Sequence, residues 1–226
     1  MEVREGPTVS EAVQDYAKAI YSLSRRTGKP VATSALAERL DVSPASASAM
    51  LKRLTTLGLV THQPYRGTEL TETGQRVALE VIRHHRLLEL YLAEALGMSW
   101  DRVHAEAEVL EHAISPELSE LIAEKLGHPT HDPHGDPIPS ADGSIDEQVT
   151  VPLADVETGQ SGIFTRISDS DPEMLRYLSQ RGIAPGDALE VTERQPFDGP
   201  LTVRFGEREH ALGGTLARMM RVAVDR

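Results

Sequence analysis

The chain has 226 residues, 39% hydrophobic and 26% charged, with no cysteine and a net charge of −12. That composition suits one large or two to three small globular domains, and excludes disorder, disulfides, zinc knuckles and thiolate catalysis. No apolar run approaches the ~20 residues that span a bilayer. Residues 1–8 are polar and contain no signal-peptide core, so the expectation is a cytoplasmic protein with no membrane partner.

In chain order, Thr8-x-x-Glu11 reads as a capping box. It opens a helix with apolar Val13, Ala17, Ile20, Tyr21 and Leu23, closed by Arg25, Arg26 and Gly28. A short helix is expected over about 34–40, then a tight turn at Asp41-Val42. Ser43 is an N-cap with Pro44 at the first helical position, and that helix runs to Leu57 and stops at Gly58. Residues 59–63 and 68–70 read as a hairpin around the turn Pro64-Tyr65-Arg66-Gly67. A long helix follows Thr71 and ends before Gly97. Ser99 caps another over about 100–114, and Ser115-Pro116 begins a third that ends at Gly127. Residues 128–145 are dense in Pro, Gly and Asp and read as a linker, with His128, His131 and His134 as exposed loop residues. Beyond it, strands are expected near 148–153, 162–167, 188–191, 201–205 and 220–224, interrupted by a helix over about 171–181.

Helix, short helix, turn, capped helix and hairpin is the order of a winged helix-turn-helix. Leu36, Ala37 and Leu40 face inward on its first helix, and Ala47, Leu51 and Leu54 on its second. Ser43, Ala45, Ser46 and Ser48 lie at the start of the second helix, where such helices meet base edges. Lys52, Arg53 and the hairpin's Arg66 suit phosphate contacts. Charge is distributed accordingly. Residues 1–75 carry 9 Lys/Arg against 8 Asp/Glu, a net +1, and the remainder carries 14 against 27, a net −13. A near-neutral reader on an acidic body needs help to hold DNA, and a bound divalent cation is one candidate.

His85 and Glu89 are four apart on the long helix and share a face. On the next helix His104, Glu108, Glu111 and His112 form one stripe, while Val103, Ala107 and Leu110 are apolar. Carboxylates crowded in this way repel one another, and a cation relieves the repulsion. The donors are nitrogen and oxygen without sulfur, which suits Mn²⁺, Fe²⁺ or Zn²⁺. Two other classes of protein fit the donors less well. A di-iron enzyme needs Glu-x-x-His on two helices; here the spacing is Glu108-x-x-Glu111-His112, with no second copy. A winged-helix regulator of a small organic ligand would leave the histidines without a role.

Taken together, these motifs resemble the diphtheria-toxin-repressor family of metal-dependent regulators. The matching stretches are Asp-Tyr-x-x-x-Ile-Tyr at 15–21, Ala-Glu-Arg-Leu-x-Val-Ser-Pro at 37–44, Gly-Leu-Val at 58–60 and Leu-Thr-x-x-Gly at 70–74. They continue with Arg-His-His-Arg-Leu-x-Glu at 83–89, Val-His-x-Glu-Ala at 103–107, Glu111-His112 and Pro-His-Gly-Asp-Pro-Ile-Pro at 133–139. Gly-Ile-Ala-Pro-Gly at 182–186 and Leu-Ala-x-x-Met-x-Val at 216–222 match the family's SH3-like domain.

The resemblance implies a regulatory metal site at Asp15, Glu108, Glu111 and His112. Iron-sensing members have Met and Cys at the first two of these positions and manganese-sensing members Asp and Glu, so Mn²⁺ is expected, with Fe²⁺ the alternative. Lys18 stands where two-domain manganese regulators carry a second Glu, so their paired-metal site is not expected. An ancillary site is implied at His85, Glu89 and His104, completed by Asp171, with Met174 where a Gln is usual and Glu173 as a substitute. The implied architecture is mostly α with β: a winged helix-turn-helix (1–72), a helical metal-binding and dimerisation domain (73–130), a Pro-rich linker (131–148) and an SH3-like small β-barrel (149–226). The implied protein is no enzyme. It is a homodimeric repressor of metal-homeostasis genes whose partner is a double-stranded DNA operator.

Overall fold

The computed structural model describes residues 9–63, 66–146, 148–197 and 199–225. The expected cap at Thr8 and Pro64-Tyr65 of the hairpin turn lie outside these residues. The chain divides into two compact units. The first is Met1–His84 with Pro139–Gly143, and the second is His85–Ile138 with Ser144–Arg226.

The first unit is a winged helix-turn-helix. Helix α1 (Glu11–Thr27) buries Val13, Tyr16, Ala17, Ile20 and Leu23 at helical spacing. Helix α2 (Thr33–Arg39) adds Leu36 and Ala37 to the same core. Helix α3 (Pro44–Thr56) begins at Ser43, whose hydroxyl accepts from the Ser46 N–H at 3.1 Å, and buries Ala47, Leu51 and Leu54. Strands β1 (Val60–Gln63) and β2 (Gly67–Leu70) pair antiparallel, with Val60 opposite Leu70. The long helix α4 (Glu72–Leu96) then begins. The Thr71 hydroxyl donates to the Gly58 carbonyl at 2.7 Å and accepts from the Gly74 N–H at 3.1 Å. A side-chain carbon on Gly74 would stand 2.0 Å from the Leu59 carbonyl oxygen. The Leu-Thr-x-x-Gly motif therefore welds the wing to the start of α4.

The second unit continues α4 and adds α5 (Trp100–Leu110) and α6 (Pro116–Lys125). Their core holds Leu87, Leu88, Leu90, Ala107, Ile122, Ala123 and Ile138. Helix α5 ends at Leu110, short of the expected 114. The stretch read as a linker is an ordered closed loop. The Ile138 N–H donates to the Thr130 carbonyl at 2.8 Å, and the Asp132 carboxylate accepts from the His134 and Asp136 N–H groups at 2.9 Å each. The polar composition that suggested a linker is consumed inside this turn.

The SH3-like domain contains β3 (Val151–Pro152), a 3-10 turn (Leu153–Asp155), β4 (Ser161–Ile167), α7 (Pro172–Ser179), β5 (Ala188–Arg194), β6 (Leu201–Phe205), β7 (Arg208–Leu212), α8 (Gly214–Met219) and β8 (Met220–Val224). The antiparallel strand order is β3-β8-β4-β5-β6-β7. Alternating Leu201, Val203 and Phe205 point into a core with Phe164, Leu175 and Val222. Strand β7 and helix α8 were not expected from the sequence. Charged Arg208-Glu209-His210 hides the strand, and α8 is a six-residue helix begun by glycine. The loop 130–138 packs on this domain. The Ile167 N–H donates to the His134 carbonyl at 3.0 Å, and a side-chain carbon on Gly135 would meet the Thr165 carbonyl oxygen at 1.9 Å.

Gly74→Ala should force the wing away from α4 and lower stability by about 1–3 kcal/mol, as overpacking does. Chemical denaturation followed by circular dichroism measures this, and an unchanged midpoint would contradict the weld.

Candidate metal centre and DNA face

His85 stands at the middle of the metal-ligating side chains in the second unit. Helical spacing on α4 sets its imidazole beside Glu89, with Nε2 3.0 Å from Oε1. Its Nε2 is also 3.1 Å from His104 Nδ1 on α5. His104 Nδ1 lies 3.2 Å from Glu89 Oε1 and 2.9 Å from Asp169 Oδ2. The other ring nitrogen of His85 contacts Glu111 Oε2 directly and lies 3.7 Å from Glu108 Oε1. Although α5 ends at Leu110, Glu111 keeps helical dihedrals (φ −58°, ψ −26°), so the stripe continues past the helix. His112 Nε2 is 3.5 Å from Glu111 Oε1. The His85 ring thus separates one set of donors, Glu89, His104 and Asp169, from another, Glu108 and Glu111. Glu89 is fully buried and Glu111 very nearly so.

A third set shares Glu89. Its Oε2 lies 3.6 Å from His134 Nδ1, which is 4.0 Å from Asp132 Oδ1. His134 Nε2 donates to the Trp100 carbonyl at 2.8 Å, and its ring stacks on the Trp100 indole with centroids 5.9 Å apart. This arrangement aims Nδ1 at Glu89. Glu89 Oε2 and His134 Nδ1 are buried without a hydrogen-bond partner among the described residues.

The electrostatics reflect crowding. Burial would raise the pKa of Glu89, but the facing imidazoles of His104, His134 and His85 outweigh it, and the group is lowered. Asp169 and then Glu89 raise His104 to about 10 against the opposing effect of burial. For His134, burial lowers the pKa but the Glu89 and Asp132 carboxylates prevail, raising it to about 9. Burial, with the Asp136 and Glu89 charges, pushes Asp132 well above its usual range.

The expected C-terminal donor, Asp171, caps α7 instead, accepting from the Glu173 and Met174 N–H groups at 2.9 and 3.3 Å. Glu173 is exposed and Met174 packs on the SH3-like core. Asp169, two residues earlier, is the carboxylate at His104. His134 is fully buried, contrary to the exposed loop position expected for it, while His128 and His131 are exposed. Sequence reasoning missed Asp132, His134 and Asp169 as donors. The Pro-His-Gly-Asp-Pro-Ile-Pro motif at 133–139 was the one available signal for His134, and Asp132 immediately precedes it. Asp15 and Lys18 are half-buried on α1 of the first unit.

On α3, Ser43, Ala45, Ser46, Ser48, Lys52 and Arg53 are all exposed, as is Arg66 at the wing. The serines are already engaged locally. The Ser43 and Ser46 hydroxyls pair at 2.8 Å, and the Ser48 hydroxyl donates to the Pro44 carbonyl at 2.8 Å. Each keeps acceptor capacity for a base edge.

Three family models match the chain: "Iron dependent repressor, N-terminal DNA binding domain" over residues 8–68, "Iron dependent repressor, metal binding and dimerisation domain" over 71–140 and "FeoA domain" over 151–224. The diphtheria toxin repressor of Corynebacterium efficiens is 31% identical over 195 residues, covering 82% of this chain and 84% of that protein. The iron-dependent repressor IdeR of Mycobacterium tuberculosis is 29% identical over 224 residues, covering 94% and 96%. A solved structure described as a manganese-dependent transcriptional repressor in complex with manganese is 42% identical, with a TM-score of 0.86 and coverage of 93% and 98%.

The raised pKa of His104 gives the metal-free chain a signed pH dependence. Its folded value of about 10 exceeds the ordinary 6.5, so its contribution is complete below about 6.5 and is lost as pH rises through about 10. With chelator present, the thermal midpoint should fall across that window. A midpoint that rises instead would mean the His104–Asp169–Glu89 charges do not stabilise the fold.

Proposed function

The chain belongs to the diphtheria-toxin-repressor family, and on that premise we propose that it is a DNA-binding transcriptional repressor that answers to Mn²⁺, with Fe²⁺ the alternative effector. It is a regulator and not an enzyme. One observation carries the metal reading: the buried His85 ring lies between two groups of nitrogen and oxygen donors, Glu89, His104 and Asp169 on one side and Glu108 and Glu111 on the other. The residues fit a cation on a second ground. Glu89 Oε2 is buried with no hydrogen bond among the described residues and only the His134 imidazole at 3.6 Å, and coordination would satisfy it. Carboxylate-rich, sulfur-free donors lean toward the harder ions, which supports Mn²⁺.

In this proposal His85, Glu89, His104 and Asp169 hold one ion, with Asp132 and His134 available on the other oxygen of Glu89. Glu108, Glu111 and His112 belong to the regulatory site that the family resemblance completes with Asp15. A divalent cation supplies the positive charge that lets these carboxylates share one place. Asp15 is on the DNA-reading unit, while Glu111 and His112 are on the other unit. Repulsion among the Asp15, Glu108 and Glu111 carboxylates when metal-free disfavours the arrangement in which they meet. Relieving it shifts the population toward one separation of the two α3 helices in a dimer, matched to half-sites one or more DNA turns apart. The dimer has a suitable face. Val109 (73% exposed) and Leu121 (55%) lie on α5 and α6 with the exposed Leu110 and Leu118. No helix among the described residues is long and apolar enough to cross a membrane, and a double-stranded operator as partner implies the cytoplasm.

Asp15→Ala should abolish Mn²⁺-dependent DNA binding and leave the dimer intact by light scattering. A normal Mn²⁺ response would sink the regulatory-site assignment. Lys52→Ala or Arg53→Ala should weaken binding across sequences and reduce the salt slope by about 1. The reading as a whole is tested by capturing genomic fragments with Mn²⁺, with Fe²⁺ under anaerobic conditions, and with chelator. Recovery of a few palindromic sites that chelator abolishes is expected. Equal recovery in all three would favour a regulator of an organic ligand.

A further inference from the structure

The loop that carries Asp132 and His134 does not end at the metal centre. Residues up to Ile138 belong to the second unit, and Pro139–Gly143 to the DNA-reading unit. Helix α4 passes between the same units at His84 and His85. An arginine on each side of that point holds the passing strand. The Arg86 guanidinium donates to the Pro137 carbonyl, and Arg83 Nη1 donates to the Pro139 carbonyl at 2.8 Å. Arg83 and Arg86 are three apart and share one face of α4.

We propose that Arg83 is a positioning residue that passes the state of the Asp132–His134 loop to the DNA-reading unit through the strap Pro137-Ile138-Pro139. The strap has no slack. Two prolines fix their own φ, and a single residue, Ile138, separates the two clamped carbonyls. Ile138 is itself held in the apolar core with Leu87 and Ala107. Upstream, the loop is closed by the Thr130–Ile138 hydrogen bond and cannot take up a shift by unwinding freely. Downstream, the strap ends in a turn closed by the Gly143 N–H on the Ser140 carbonyl at 2.9 Å, with Gly143 against Leu79 of α4. A movement of His134 and Asp132 toward Glu89 is therefore delivered by the strap to the half of α4 welded to the wing. This route is separate from Asp15, and it rests on the metal-responsive reading above.

The test separates metal binding from its transmission in the full-length chain. Arg83→Met removes the donor and keeps an unbranched apolar side chain. Mn²⁺ stoichiometry and affinity, by calorimetry, should stay within about twofold of wild type. The Mn²⁺-induced gain in operator affinity should fall about tenfold, inside the usual range of coupling between sites. Inserting Gly-Gly between Ile138 and Pro139 should uncouple in the same way with Arg83 intact, which guards against a folding defect in the first variant. An unreduced gain in both variants would overturn the proposal. So would a parallel loss of Mn²⁺ affinity and gain, which would make Arg83 a merely structural residue. A wild-type protein whose operator binding ignores Mn²⁺ would overturn the functional reading itself and this inference with it.

Discussion

A buried carboxylate ringed by three imidazoles governs the second unit. Glu89 gives one oxygen to His85 and His104 and turns the other toward His134. Placing that charge in an apolar helical layer is costly unless it is paired. The pairing recruits two separate pieces of chain, the α5 stripe and the loop 130–138, and His104 in turn draws in the Asp169 turn before α7. Much of the unit's arrangement follows. The loop must lie close enough for His134 to reach Glu89, so it presses on β4, where only glycine fits at 135. Asp101 at the start of α5 pairs with Arg176 of α7 at 3.0 Å, fixing the same two segments a second time.

Local signals made the DNA-reading unit legible. Its caps, glycine stops and apolar spacing act within a few residues, and Ser43-Pro44 and the Leu-Thr-x-x-Gly motif lie where the structure uses them. The α4 and α5 donors were legible for the same reason, since four-residue spacing puts His85 with Glu89 and His104 with Glu108 on one face. What the sequence concealed depends on the path of the chain. Asp169 and Asp171 are nearly equivalent in sequence, both acidic and just ahead of a helix. Capping claims the residue adjacent to Pro172, leaving the other to face His104. A segment rich in Pro, Gly and Asp reads as a linker by composition, yet its polar groups satisfy one another and His134 goes inside. Composition describes what a segment could do in water and says little about what a distant carboxylate will draw in.

The division of charge along the chain has a physical counterpart. The DNA-reading segment, residues 1–75, is near neutral at +1, and the rest of the chain carries −13. Three mutually repelling groups of carboxylates thus sit on a body that already repels DNA. A divalent cation taken up offsets part of that charge, less the protons its imidazole ligands release, so local organisation and long-range attraction change in the same direction.

The stacking of Trp100 on His134 has an optical consequence. It is the only tryptophan in the chain, and its indole lies face to face with a ring whose charge differs between protonated and coordinated states. A protonated imidazole stacked nearby accepts an electron from an excited indole more readily than a neutral one does. The molecule therefore carries its own fluorophore beside His134, whose other nitrogen faces Glu89 at 3.6 Å, with no added label needed to follow that neighbourhood.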